Sequence, residues 1–207
     1  MKNIYIVIIC LLLSTTATAQ EVRNYIAIVN GDSIKINLNT SFQYKSTKGE
    51  LIDFKIVQPD ILTYSDDFIS FKHSKENNVS NTVLEEDIEQ LMVMKSTGSG
   101  FIVQKYYGID PSLLTMMLLN EVTKESISYG YAKSQEAFSV DLQSGQTLNG
   151  SRMTLTYKGE EEIYTAAAFS GKDEGIIILT MVLNDDYSAK DHEMIDLFWE
   201  TLEIKRK

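Results

Sequence analysis

Residues 175–183, GIIILTMVL, constrain the fold most, because they are apolar at nearly every position. A strand with one face in water alternates apolar and polar residues, whereas a strand covered on both faces reads as a continuous apolar run. Two segments precede it, SRMTLTYK at 151–158 and EEIYTAAAF at 161–169, separated by Gly159. Together the three predict an antiparallel meander with material packed on both faces of its last strand.

Two amphipathic segments are candidates to cover that strand. Asp110 as N-cap and Pro111 as first helical residue predict one helix over about 111–127. A second is predicted over about 189–203. In the first helix, the residues expected to be buried recur at helical spacing: Leu114, Met117, Leu118 and Val122. In the second, the corresponding residues are Met194, Ile195, Phe198 and Leu202.

The remaining segments predict short strands and turns. GFIVQKYYGI at 100–109 alternates as a strand does, and Asn30-Gly31 predicts a hairpin over about 24–38. Four more segments are typical of strands: SFQYKS, LIDFKIV, ILTYSD and FISFKHS. Residues 75–90 are polar and predict an exposed loop or short helix. The fold class is therefore α+β, a mainly antiparallel sheet with two principal helices.

The first residues have the layout of an export signal. Lys2 is followed by an apolar run at residues 4–13 and by the A-x-A box that ends at Ala19. The run is shorter than the roughly 20 apolar residues of a membrane-spanning helix. Cleavage after Ala19 would remove Cys10, the only cysteine, whose lipidation we do not expect because a bulky residue precedes it. We predict a periplasmic or secreted single domain, residues 20–207, with the hairpin as an N-terminal extension.

The charge balance restricts the classes of partner. The chain has 19 basic and 29 acidic residues, a net charge of −10. Such a chain, without an internal basic cluster, is unsuited to nucleic acid or anionic lipid and better suited to a basic partner. No pattern in the sequence predicts a cofactor.

The stretch LNDDYSAKDHEMIDLFW at 183–199 combines carboxylates with a histidine. Ser188 and Asp191 are spaced as a capping box, which favours a turn followed by the start of a helix. Asp185, Asp186 and His192 are the weak metal-ligand candidates, since the stretch does not fit the calcium-loop pattern. We therefore interpret the stretch as a helix start.

No catalytic residue is predicted. Ser99 and His73 could form part of a nucleophilic triad only if the fold brings them together, and no serine matches the nucleophile-elbow pattern. The acidic runs at 85–87 and 160–162 contain many carboxylates but do not single out a pair for acid–base chemistry.

Two tyrosine pairs flank the first predicted helix. Tyr106 and Tyr107 precede it, and Tyr129 and Tyr131 follow it. Exposed tyrosines favour recognition surfaces, because a rigid ring with a polar tip loses little entropy on binding. In the alternative interpretation, one member of each pair points inward and fills the core. We take all four as candidates for a partner surface.

The order of elements resembles the PsbP-like family over about residues 60–204. It runs through a strand, a capped helix, QTLNGSRM, a meander and a closing helix that ends FWETLEIK. Phe198, Leu202 and Ile204 match the family's closing pattern, and LNG at 148–150 resembles its glycine turn. The resemblance implies an α/β/α sandwich that binds or stabilises larger assemblies without being an enzyme. It transfers no binding residue.

We therefore expect an exported, non-enzymatic binding or accessory protein with an unidentified protein partner in the cell envelope. One alternative is an envelope or extracellular hydrolase with a carboxylate-based site. Another is a carrier of small apolar ligands, in which the sheet and the 111–127 helix enclose a cavity.

Overall fold

The computed structural model describes residues 25–171, 174–183 and 188–205. The predicted signal and its cleavage after Ala19 lie outside these residues. The chain divides into two compact units, the first ending at Gln58 and the second beginning at Pro59. The predicted organisation as one domain stays a prediction.

The described part of the first unit consists of two antiparallel hairpins. Their strands are β1 (Tyr25–Val29), β2 (Asp32–Ile36), β3 (Ser41–Lys45) and β4 (Leu51–Lys55). Asn30 and Gly31 connect β1 to β2 with φ of 51° and 92°, the positive values that a two-residue hairpin turn requires. The Tyr44 hydroxyl donates to Asp32 Oδ2 at 2.8 Å and so links the two hairpins.

The second unit contains a seven-stranded and a three-stranded antiparallel sheet. Its strands are, in chain order, β5 (Ile61–Ser65), β6 (Ile69–Ser74), β7 (Ser80–Glu85), β8 (Ile88–Met94), β9 (Gly100–Tyr107), β10 (Ala132–Asp141), β11 (Thr147–Tyr157), β12 (Glu160–Ser170), β13 (Glu174–Val182) and β14 (Glu203–Ile204). The large sheet has the spatial order β10-β11-β12-β13-β9-β8-β7, and the small one β14-β6-β5. Helix α1 spans Thr115–Tyr129, after a 3₁₀ turn at Ser112–Leu114, and helix α2 spans Ser188–Thr201.

Strand β13 is the middle strand of the large sheet, as its apolar sequence predicts. Its four consecutive aliphatic residues are buried: Ile176, Ile177, Ile178 and Leu179. Burial of each stabilises the fold by about 1.5–3 kcal/mol relative to exposure. The prediction that this strand is covered on both faces is confirmed.

The two helices lie on opposite faces of the large sheet. Leu119 of α1 belongs to the same apolar cluster as Ala166 of β12 and Leu179 of β13. The next residue of β12, Ala167, belongs instead to the cluster that contains Phe198 of α2. Successive strand residues point to opposite faces, so each helix covers its own face. The small sheet lies on the same face as α2, where Phe71 of β6 meets Phe198 with ring centroids 5.3 Å apart.

The meander has four strands, not the predicted three, because residues 132–141 add β10 at its edge. Gly150 lies inside β11 and is not the turn glycine that LNG suggested. A Cβ atom on Gly150 would lie 1.9 Å from the Ala166 carbonyl oxygen, so the residue is needed where β12 approaches closely. The turn lies earlier, at Gly145 with φ of 91°.

The prediction of a loop or short helix at residues 75–90 is wrong. This segment contains β7 and the start of β8, which form a hairpin at the edge of the large sheet. All six residues of β7 are exposed, the apolar Val83 and Leu84 among them, and its sequence lacks the alternation that identifies a strand.

Both predicted helices exist, with different bounds. Three of the four residues predicted to be buried on the first helix are partly buried against the core: Leu114, Leu118 and Val122. Asp110 Oδ1 accepts the Ser112 amide at 2.8 Å, but the first turn is 3₁₀ and α1 begins at Thr115. The buried row is Thr115, Leu119 and Thr123. Met117, predicted to be buried, is 63% exposed. At about 100° per residue, Met117 lies on the side of α1 opposite Leu119, which accounts for its exposure.

Helix α2 ends at Thr201, before the predicted residue 203, because Glu203 and Ile204 form β14. They pair with Ser70 and Ile69 of β6. The predicted buried residues of this segment are confirmed: Met194, Ile195, Phe198 and Leu202 are each at most 7% exposed.

Candidate functional site

The first tyrosine pair lies in the core. Tyr106 is 7% exposed, and its hydroxyl donates to Gln104 Oε1 at 2.8 Å. It packs with Ala168 on the face that α1 covers. Tyr107 points to the other face, edge-on to Phe68 with centroids 6.3 Å apart. Adjacent strand residues point to opposite faces, and here both faces are covered. Tyr106 is therefore not a surface residue, and the prediction for it is wrong.

The second pair lies at the end of α1 and is accessible. Tyr129 is the last residue of α1 and is 71% exposed. Gly130 follows with φ of 117° and donates its amide to Ser126 and Ile127 carbonyls, an ending in the left-handed conformation that glycine adopts at little cost. This reversal brings the Tyr129 and Tyr131 rings to a centroid distance of 6.3 Å.

A third ring, Tyr157, completes the group. It stacks on Tyr131 with centroids 5.2 Å apart and meets Tyr129 edge-on at 5.3 Å. We call Tyr129, Tyr131 and Tyr157 the tyrosine cluster. Sequence reasoning missed Tyr157 because its position depends on the pairing of Ala132 with Thr156, between strands of which one was not predicted.

A carboxylate holds one member of the tyrosine cluster. The Tyr131 hydroxyl donates to Glu160 Oε2 at 2.9 Å. This hydrogen bond raises the pKa of Tyr131 to about 12, with smaller contributions from burial and from the charge of Glu162. Tyr131 is therefore a neutral donor at neutral pH, and Glu160 is a fixed negative charge beside the rings.

A cation already lies over one ring of the tyrosine cluster. Lys158 Nζ is 4.9 Å from the centroid of Tyr157, within the range of a cation–π interaction. Lys158 and Gly159 form the two-residue turn between β11 and β12, with φ of 51° and 91°. The turn holds the lysine next to the ring that precedes it.

An open hollow of about 830 Å³ lies beside Tyr129 along the outer side of α1. Its charged lining residues are Glu121, Lys124 and Glu125. Lys124 Nζ is 3.8 Å from Glu121 Oε2, and both side chains are largely exposed. Two acids and one base therefore line the hollow beside the exposed ring.

The stretch predicted as a helix start does contain the first residue of α2, Ser188. Its Asp191 side chain also bonds to residues outside the helix. Asp185 and Asp186 lie outside the described residues, and His192 is exposed. Asp191 is fully buried; its Oδ1 pairs with Lys95 Nζ, and its Oδ2 accepts from Thr97 Oγ1 at 3.5 Å. The Asp191 carboxylate thus ties α2 to the loop before β9. Within the described ranges, no three His, Cys, Asp or Glu side chains come together in a way that could hold a metal ion.

The structure does not bring Ser99 and His73 together. The buried Ser99 Oγ accepts the Leu183 amide at 3.0 Å. The Nδ1 atom of His73 lies 3.0 Å from the Ser74 carbonyl oxygen and 3.1 Å from that of Asn77. Each side chain satisfies local backbone groups, and in the part of the chain that is described neither bonds to the other.

Sequence reasoning also missed a buried ionic cluster on the face of the sheet that α2 covers. Lys105 Nζ lies 2.6 Å from Asp66 Oδ2 and 3.1 Å from Glu89 Oε2. Tyr64 donates to the same Asp66 oxygen at 2.9 Å. Burial alone would raise the pKa of Asp66, but the hydrogen bonds from Lys105, from backbone amides and from Tyr64 outweigh it and lower that pKa. The buried ammonium group of Lys105 is thus paired with two carboxylates, which suits a structural role.

A small apolar cavity lies between α1 and the sheet. Its volume is about 310 Å³. Its lining is mainly apolar, with two polar side chains and a phenol: Leu114, Met117, Leu118, Ile177, Gln104, Glu121 and Tyr106. The Gln104 amide at its wall donates to Gln90 Oε1 at 2.9 Å. Ligand sites in proteins occupy roughly 300–1,000 Å³, so the volume is at the lower end of that range.

No family model matches the sequence, and no curated protein matches it. The structure is similar to the solution structure of cyanobacterial PsbP (CyanoP) from Synechocystis sp. PCC 6803, with a TM-score of 0.45 and 10% sequence identity. The match covers 70% of this chain and 92% of that chain. A likeness of this size carries no argument for a shared function. In the described part of the chain, no helix has the length and apolar character needed to cross a membrane.

Proposed function

We propose that this chain is an exported, non-enzymatic binding or accessory protein that docks a protein partner of the cell envelope through its tyrosine cluster. The observation that carries the proposal is the 71% exposure of Tyr129 within a group of three contacting rings. Exposed aromatic rings of this kind are enriched among the residues that dominate binding energy.

The cluster is also preorganised for binding. Tyr131 is held by Glu160, and Tyr157 is fixed in β11 at the turn to β12. The Tyr129 ring contacts both of these rings. A ring that is already held loses less conformational entropy when a partner covers it, so more of the contact energy appears as affinity.

The residues that could have carried an enzymatic reaction have local partners, which supports a non-enzymatic role. Ser99 and His73 hydrogen-bond to nearby backbone groups. Glu160 and Glu162 accept hydrogen bonds from Tyr131 and Tyr164. A hydrolase with a carboxylate pair would need such groups to converge on a substrate cleft.

The fold that we propose for the second unit is the α/β/α sandwich of PsbP-like proteins. The placement of Leu119 of α1 and Phe198 of α2 in clusters on opposite faces of the large sheet supports it. An experimental structure of the second unit tests this assignment.

The test is capture of a partner from an envelope extract by the exported protein and by its Tyr129→Ala, Tyr131→Ala variant. The matched control is Leu113→Ala, which removes an apolar side chain that is 87% exposed outside the tyrosine cluster. Circular dichroism establishes that all three proteins are folded. We expect the parent and the control to retain one partner that the double variant loses.

Equal retention by the folded double variant would overturn the role of the tyrosine cluster. If neither the parent nor the control retains any partner, the accessory-protein proposal itself fails.

A second candidate function is a carrier of small apolar ligands, favoured by the cavity between α1 and the sheet. The test is mass spectrometry of the denatured, freshly purified protein, beside a Leu118→Trp variant whose larger side chain fills the cavity. A ligand released by the parent and missing from the variant supports a carrier. Absence of any ligand from the parent argues against it.

A further inference from the structure

We propose that the tyrosine cluster binds cationic side chains, so that the docked partner presents an arginine- or lysine-rich segment. This inference rests on the proposed function and names the chemistry of the partner.

The face of an aromatic ring carries partial negative charge and attracts a cation within about 6 Å of its centroid. This chain already uses that attraction at Tyr157, where Lys158 Nζ lies 4.9 Å from the centroid. Tyr129 is the most exposed member of the same group, and its ring is open to a cation from outside.

Carboxylates lie in two places near the tyrosine cluster. Glu160 accepts the hydrogen bond of the Tyr131 hydroxyl. Glu121 and Glu125 line the hollow along α1, with Lys124 as the one basic residue among the lining residues. Because Glu125 precedes Tyr129 by four residues in α1, the two side chains are neighbours on the helix surface, and an incoming guanidinium or ammonium group can contact the ring and this carboxylate at the same time. The net charge of −10 acts over longer distances in the same direction and speeds association with a basic segment.

Lys158 is an internal competitor for this site. Its ammonium group occupies the Tyr157 ring face that an incoming side chain would otherwise use. Replacing it with glutamine opens that face and also removes a positive charge that repels the ligand. Removal of a lysine elsewhere on the protein changes the net charge equally but leaves the ring face occupied.

The experiment measures fluorescence anisotropy of a labelled octa-arginine peptide titrated with the full exported protein at low ionic strength. An uncharged glycine–serine peptide of equal length is the ligand control. The variants are Tyr129→Phe, which keeps the ring, and Tyr129→Leu, which keeps only apolar bulk. Lys158→Gln is compared with Lys72→Gln, a matched charge change on β6, in the layer on the opposite face of the large sheet.

We expect octa-arginine but not the uncharged peptide to bind. Tyr129→Phe should match the parent, and Tyr129→Leu should bind about two- to fivefold more weakly, the size of an exposed cation–π contact. Lys158→Gln should bind more tightly than Lys72→Gln by a similar factor. The inference is overturned if Tyr129→Leu binds as well as the parent, or if the two lysine variants are equal.

Failure of this inference can be told apart from failure of the proposed function. A captured partner that is lost by Tyr129→Ala but kept equally by Tyr129→Leu and Tyr129→Phe indicates apolar docking. The proposed function then stands, and the cationic partner does not. If the double alanine variant retains the partner, the proposed docking through the tyrosine cluster is wrong, whatever the result of the peptide titrations.

Discussion

The two tyrosine pairs look alike in the sequence and have opposite positions in the fold. Tyr106 and Tyr107 lie in a strand of a sheet that is covered on both faces, so the alternation of the strand sends one ring into each layer of the core. Tyr129 and Tyr131 flank a left-handed glycine, and the reversal places both rings on one surface with Tyr157. The difference teaches that the backbone between and around two rings decides whether a pair forms core or surface.

The pairs also differ in what controls their protonation. Burial is the main cause of the raised pKa of Tyr106, with the charge of Glu85 second. For Tyr131 the main cause is the hydrogen bond to Glu160. One phenol is kept neutral by the absence of water, the other by a specific partner that mutation can remove.

The largest expected effect is on the stability of the fold, and it distinguishes the buried tyrosine pair from the exposed one. Tyr106→Ala removes a buried ring and should lower the free energy of unfolding by about 3–5 kcal/mol, as other aromatic-to-alanine changes in cores do. Urea denaturation followed by circular dichroism measures the loss. A loss below about 1 kcal/mol would contradict the placement of Tyr106 in the core, since that is the range of surface substitutions.

A smaller effect isolates the hydroxyl of the buried ring. Tyr106→Phe keeps the ring and removes the 2.8 Å hydrogen bond to Gln104, which should cost about 1 kcal/mol. Tyr131→Phe removes an exposed hydrogen bond, which water can replace, so its loss should be smaller. Equal losses in the two variants by denaturation would show that the two hydroxyls do not differ in environment.

A third prediction concerns the titration of Tyr131. Glu160→Gln should lower its pKa from about 12 toward the ordinary value of roughly 10, because the charged acceptor is gone. Since the folded pKa is raised, the stabilisation is fully present below about pH 10 and is lost as the pH rises toward 12. Comparing the NMR-detected titration of Tyr131 in parent and variant measures the shift, with the Tyr106 titration as the internal reference that should not move.

The smallest effect on stability is expected at the exposed ring. Tyr129→Ala should change the free energy of unfolding by less than about 1 kcal/mol, because only the ring contacts with Tyr131 and Tyr157 are lost. Denaturation beside the Tyr106→Ala variant gives the comparison directly. A loss comparable to that of Tyr106→Ala would mean that Tyr129 is a structural residue, and its use as a binding probe would then be invalid.

Patterns with strong local causes were predictable. The apolar run at 175–183 identified the central strand, because no other arrangement buries an aliphatic residue at every position of an extended segment. Asn30-Gly31 marked the hairpin turn, because positive φ is cheap for few residues. The apolar spacing of α2 identified its buried face, which Phe198 and its neighbours confirm.

Features that depend on distant partners were not predictable. All six residues of β7 are exposed, so its hydrogen bonds to β8, and not burial, make it a strand. Asp191 has the spacing of a capping residue, but Lys95, ninety-six positions earlier, engages its carboxylate. The spacing of the first helix also did not reveal that its buried row is centred on Leu119, between two threonines.

The sequence by itself determined the α+β class, the central strand, the two helices and the Asn30-Gly31 hairpin turn, because each follows from local propensity and hydrophobic spacing. Only the tertiary structure decided which tyrosines are exposed and that Tyr157 joins Tyr129 and Tyr131. The physical reason is that strand pairing and the covering of sheet faces join residues far apart in the chain. Whether a ring becomes core or surface depends on that long-range assembly as well as on the backbone beside it.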